Sequence, residues 1–154
     1  MRHGRRWSER AAGDAGSASL EFITAGLILL VPLVYLVVAL SALQGGAFAV
    51  EGAAQQAARV YVQAPDEATA NARAQRAVAF ALADYGLPAG SAAVRIDCAE
   101  PGNGCLRRLS AVTVTVRIAV VLPLVPDVLS LPSAASIPLE ATATQIVSRF
   151  WGLK

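Results

Sequence analysis

The sequence predicts an α+β fold in which a long N-terminal helix is followed by a second helix and a small antiparallel sheet of three to four strands. Three observations predict it. Apolar residues fill positions 22–43, a segment with helical spacing begins after Pro65, and apolar and polar residues alternate over 94–98 and 111–120. One membrane helix and one small domain therefore account for the hydrophobic fraction of 55%.

The first element is a helix over the apolar block. Its 22 residues, at about 1.5 Å each, match the roughly 30 Å hydrocarbon core of a bilayer. Positive charge is concentrated before the block, and no Arg or Lys follows it until Arg59. The positive-inside rule therefore predicts a single-pass cell-membrane protein with a cytoplasmic N-terminus and an extracytoplasmic C-terminal domain. The arginines before the block are Arg2, Arg5, Arg6 and Arg10.

A single acid, Glu21, lies at the N-terminal edge of this block. An ionised carboxylate costs on the order of 2.5–3.5 kcal/mol at the centre of a membrane helix, so Glu21 needs a partner. Cleavage after Gly16 would make Ser17 the new N-terminus, with its ammonium about one helical turn from Glu21. Such a cut would place a cation within reach of the Glu21 carboxylate.

Gly16, an acid at the fifth position after the cut and a long apolar run together resemble the class III signal of type IV pilins and pseudopilins. Glu21-Phe22 and the run behind it are most similar to the TadE-like pseudopilins of tight-adherence pilus systems, over residues 16–59. Two positions depart from the pattern. Ser17 stands where type IV pilins favour Phe, and Pro32 lies deeper than the usual proline.

This resemblance implies a processing site at Gly16 and Ser17 and an assembly charge pair between Ser17 and Glu21. It also implies an accessory pilin-like subunit that acts in pilus assembly and that could be incorporated into the pilus. The implied partners are membrane lipid, a prepilin peptidase, other accessory pilins, the major pilin and the pilus assembly platform driven by a cytoplasmic ATPase. The predicted domains are a basic leader over 1–16, a transmembrane helix over 17–43, a stalk helix extension over 44–64 and a small extracytoplasmic α+β domain over 65–154.

Other interpretations of the N-terminal region are open. Glu21 can be an ordinary interfacial residue of a single-pass anchored protein whose external domain binds a ligand or an envelope component. A conventional signal peptide could be cut after Ala49, although its apolar core would exceed the usual 7–15 residues. Arg5-Arg6 is a twin arginine, but its flanking residues are poor for that export pathway.

The segment after the block keeps a helical pattern up to Val62. Gln44-Gly45-Gly46 marks the exit from the membrane, and small residues then recur at three- to four-residue intervals. This narrow face could pack against neighbouring pilin stalks or against the chain's own domain. The residues of the face are Val50, Ala54, Ala57, Ala58 and Tyr61.

A second helix is predicted after Pro65, because Asp66 and Glu67 place acids in a first turn, where the helix dipole favours them. Gly86 and Pro88 predict its end. The residues that we expect to face the core are Ala74, Val78, Leu82 and Tyr85.

Strands are predicted from the alternating runs at 94–98 and 111–120 and from a third run near 137–147, and the sheet should have one polar face. Cys98 and Cys105 flank a turn-rich segment. In an extracytoplasmic domain such a pair predicts a disulfide, whose short loop contributes about 2–3 kcal/mol. Metal binding would need more ligands, and a redox-active pair is usually separated by two residues.

The sequence argues against catalysis, cofactors and metal binding. The only histidine, His3, lies in the leader; there is no glycine-rich phosphate loop, and no serine or cysteine has an evident base. Nucleic-acid binding is also not expected. Residues 1–16 carry four arginines against Glu9 and Asp14 and so hold the whole formal charge of +2.

Overall fold

The computed structural model describes residues 8–99, 104–123 and 136–152, and it confirms the predicted α+β architecture with three strands in this part of the chain. The leader arginines before residue 8, the segment 100–103 between the cysteines and the proline-rich link 124–135 lie outside the described residues. The elements are α1 (Ser8–Val62), α2 (Glu67–Ala83), a short 3₁₀ turn (Ala89–Ser91), β1 (Ala93–Cys98), β2 (Ala111–Val121) and β3 (Ser136–Ile146). The chain divides into two compact units, Met1–Ala39 and Leu40–Lys154.

Helix α2 begins and ends where local chemistry predicts. The Asp66 side chain caps it by accepting a hydrogen bond from the Thr69 amide at 2.7 Å, and the bonds from Thr69 lower the pKa of Asp66. Gly86, with a φ of 69°, ends the helical segment after Ala83. The prediction that Tyr85 faces the core was wrong: it lies past the last helical turn, so the helical period no longer sets its direction, and it is 51% exposed.

The sheet is an antiparallel meander in the order β1-β2-β3. Alternate residues of β2 are buried, and the residues between them face outward, as the period-two pattern predicts. The outer face is polar: Thr113 and Thr144 share a hydrogen bond across the strands, and Arg117 forms an ion pair with Glu140 at 2.8 Å. The buried residues of β2 are Val112, Val114, Val116, Ile118 and Val120.

The core of the second unit lies between this inner face and the two helices. The last part of α1 contributes alanines with essentially no exposure, among them Ala49, Ala53 and Ala57. The small-residue face of 47–62 therefore packs against the chain's own domain, which resolves the choice that the sequence left open. Small side chains allow this close approach of helix and domain.

Gly46 marks a close contact between α1 and the sheet. A Cβ atom at this position would lie 2.6 Å from Cγ2 of Val120 and 2.9 Å from Cδ1 of Leu139, closer than real Cβ contacts. Only glycine fits here without a shift of its neighbours. α1 nevertheless continues as a helix through Gly45 and Gly46, so this glycine pair is a packing feature inside a helix.

Candidate functional site

Helix α1 carries the predicted processing site and charge pair on a regular helical backbone. Gly16 and Ser17 lie inside the helix, which begins at Ser8. Ser17 and Glu21 line the same shallow surface depression, together with Thr24 one turn further on. A glycine costs nearly 1 kcal/mol relative to alanine in a helix, so the backbone at Gly16 opens more easily than its neighbours.

The carboxylate of Glu21 is exposed and forms no ion pair with any other residue whose side chain the structure describes. In the uncleaved chain Ser17 has only a peptide nitrogen, so it carries no charge. The predicted pair therefore requires a free N-terminus at Ser17. Glu21 lies one helical turn after Ser17 on the same side of α1.

The apolar side chains after Glu21 are exposed all round the helix. Phe22, Ile28 and Leu29 are 79%, 71% and 71% exposed. In the described part of the chain, Ser17–Val62 is the one helix that is long and apolar enough to cross a membrane. A helix that is apolar on every side is stable only when lipid or other apolar helices cover it.

The second candidate region is the loop closed by Cys98 and Cys105. The two cysteines form a disulfide, with their Cα atoms 5.0 Å apart. Before Cys105, Gly104 has a φ of 79°, and a Cβ atom there would lie 2.8 Å from Oε1 of Glu67. The loop therefore needs a glycine at this position.

Glu67 fastens this loop to the first turn of α2. Its Oε1 atom accepts a hydrogen bond of 2.6 Å from the amide of Cys105. The sequence analysis assigned Glu67 only to the helix dipole, and nothing in the local sequence predicts a partner 38 positions away. The nearby Tyr61 is buried, and burial, followed by the negative charge of Glu67, raises the pKa of its hydroxyl.

The C-terminal end of the described chain also contacts the end of α1. Trp151 donates a hydrogen bond of 2.9 Å from Nε1 to the carbonyl oxygen of Ala64, and Arg108 donates one of 2.9 Å to the carbonyl oxygen of Trp151. Sequence reasoning missed this contact as well. It satisfies a carbonyl just after the helix, where intrahelical partners end.

A groove of about 560 Å³ runs between the last turns of α1 and the outer side of α2. Gln56 in α1 and Gln63 just after it line one side, and Arg73, Arg76 and the exposed Phe80 of α2 line the other, followed by Asp84 at the C-cap. Charges of both signs and one aromatic ring could bind a peptide there. Among the described residues, no group of three His, Cys, Asp or Glu side chains could hold a metal ion.

Comparison with protein-family models, with curated proteins and with solved structures gives no match for this chain. A functional assignment therefore depends on the residues and geometry described above.

Proposed function

We propose that the protein is an accessory pilin-like subunit of the TadE-like type that acts in the assembly of a tight-adherence pilus after cleavage by a prepilin peptidase. One observation carries the proposal. Ser17 and Glu21 lie on one face of α1, one turn apart, just before the segment of this helix with exposed apolar side chains on every side.

In this proposal, the charge pair sets the register between neighbouring subunits. Cleavage after Gly16 creates an ammonium on Ser17, and the carboxylate of Glu21 is tolerable in lipid only when it is paired. Pairing with the ammonium of a neighbouring subunit fixes the height of one helix against the next. Apolar side chains alone do not fix that height, because lipid is as apolar as they are.

The remaining parts of the chain have supporting roles in this proposal. The basic leader keeps the N-terminus in the cytoplasm, and the disulfide-bonded domain lies outside. The proposed partners are the prepilin peptidase, other accessory pilins, the major pilin and the assembly platform. They would meet the protein in the membrane, where its N-terminal helix is inserted.

A second candidate function is supported by a different observation, the groove between α1 and α2. The groove beside Arg73, Arg76 and Phe80 is large enough for a ligand, so the protein could be a single-pass anchored binding protein that is neither processed nor polymerised. Leader removal separates the two functions, because a plain signal anchor keeps its N-terminus.

The deciding experiment is an intact-mass measurement, with N-terminal sequencing, of protein extracted from the membranes of its own cells. We expect a chain that begins at Ser17. A matched variant, Gly16→Leu, should retain its leader, because a large side chain before the cut blocks access of the peptidase. Wild-type protein that keeps Met1, or that begins near Val50, would contradict the pilin proposal.

A further inference from the structure

A groove without charged residues opens at one end of the second unit. It measures about 580 Å³ and lies between α1, the turn after α2 and the end of β2. We call this surface the apolar rim. It consists of Gly45 in α1, Tyr85 and Leu87 in the turn, and Ala119, Val120 and Val121 in β2. Tyr85 and Val121 are 51% and 58% exposed.

The position of the rim along α1 indicates what covers it. Ser41 and Ala42, near the end of the predicted membrane helix, also line the groove. Gly45 follows that helix by two residues, which is about 3 Å along the axis. Cδ1 of Tyr85 lies 4.0 Å from the position of a Cβ atom on Gly45. With a membrane helix that ends at Leu43, Tyr85 would lie at the height of the membrane–water interface, where tyrosine is enriched.

Charged side chains border the rim but do not line it. Asp84 directly precedes Tyr85, and Arg117, which pairs with Glu140, lies two residues before Ala119 on the same outer face of β2.

We propose that the apolar rim contacts the extracytoplasmic surface of the membrane, with phospholipid at the boundary between headgroups and acyl chains as its partner. The inference rests on the membrane anchoring in the proposed function and is independent of pilus assembly. It adds a second lipid contact, made by the folded domain, to that of α1. A domain held in this way has a defined height and tilt above the bilayer.

Spin labelling of the full chain tests the proposal. Val121→Cys would carry a nitroxide in vesicles of phosphatidylcholine and phosphatidylglycerol, and power saturation would compare its accessibility to oxygen and to a water-soluble nickel complex. The native cysteines are paired and remain unlabelled without reductant. Ala72→Cys, exposed on α2 and about 16 Å along the axis from its end, is the water control; Val31→Cys, 62% exposed in the apolar block, is the lipid control.

We expect an oxygen-to-nickel ratio at Val121 several-fold above that at Ala72 and below that at Val31. A ratio equal to that at Ala72, with Val31 in lipid, would overturn the rim contact alone. Low accessibility to both reagents would show protein over the rim and would also overturn it. A water-like ratio at Val31 would refute the anchoring and the rim together. Tyr85→Cys repeats the measurement if the Val121 variant fails to fold.

Discussion

Glu67 joins the start of α2 to the disulfide loop through the hydrogen bond that it accepts from Cys105, and its charge acts on the hydroxyl of Tyr61, a buried residue. Because burial and a nearby negative charge both disfavour the phenolate, the pKa of Tyr61 is raised above its ordinary value of 10.0. This pKa therefore reports on the packing around the loop.

The charge of Glu67 can be removed without changing its shape. In Glu67→Gln we expect the pKa of Tyr61 to fall part of the way and to remain above its ordinary value, because burial is the larger cause. Ultraviolet titration of the full chain in detergent measures this pKa, and comparison with Tyr61→Phe identifies which absorbance change belongs to the ionisation of Tyr61. A pKa unchanged by the substitution would contradict the influence of Glu67.

The raised pKa of Tyr61 also predicts that the folded state loses stability at alkaline pH. The raised pKa of Tyr61 contributes to the free energy of unfolding. This contribution is fully present below the pKa of Tyr61 in the unfolded chain, near 10.0, and it is lost as the pH rises through the higher pKa of the folded state. The melting temperature of the wild type should therefore fall in this alkaline range more steeply than that of Tyr61→Phe.

At the scale of elements, α1 packs against the sheet because residues along one side of it are small. Gly46 is buried between Val120 and Leu139, whereas Gly52, less than two turns further along the same helix, is exposed with nothing within 4 Å of a Cβ position. The two glycines therefore differ in packing while they share the same backbone conformation.

Alanine substitution should separate these two effects. In Gly52→Ala the free energy of unfolding should rise by up to about 1 kcal/mol, the helix propensity gain. In Gly46→Ala we expect a net loss of about 1 kcal/mol, because overpacking costs about 1–3 kcal/mol and exceeds that gain. Urea unfolding in detergent, followed by circular dichroism, gives both values. Equal stabilisation by the two substitutions would show that α1 and the sheet do not meet closely at Gly46.

At the scale of the whole molecule, the described chain combines an apolar helix that needs lipid or other helices with a domain that buries its own core. Glu21 lies in the first unit, and the residues of that core all belong to the second. A change in its charge should therefore affect association with other membrane helices and leave the domain intact.

Glu21→Gln keeps the shape of the side chain and removes its charge. We expect membrane insertion, cleavage after Gly16 and the Cys98–Cys105 disulfide to persist, while co-purification with partner pilins falls several-fold. Quantitative mass spectrometry of affinity-purified complexes measures the change, and Gln55→Glu, exposed in the later part of α1, is a control for a charge change elsewhere. Wild-type recovery of partners with the Gln variant would show that Glu21 is an ordinary interfacial residue.

The sequence by itself determined the elements of this protein. The apolar block, the acids after Pro65 and the alternation along β2 depend on neighbours within a few residues, so they predict a helix, a helix start and a strand with one buried face. That Asp66 precedes the first turn and caps the helix was seen only in the structure. The pairing of Cys98 with Cys105 was also predictable, since a short turn-rich segment separates the two residues.

Tertiary structure decided the partners of these elements. Glu67 meets Cys105 across 38 positions and Trp151 meets Ala64 across 87, and no local pattern encodes such a contact. The same is true of the small-residue face of α1, which has the same sequence whether it packs on its own domain or on another helix. Packing decides between its own domain and another helix, because the buried contacts depend on which surfaces fit together after the chain has folded.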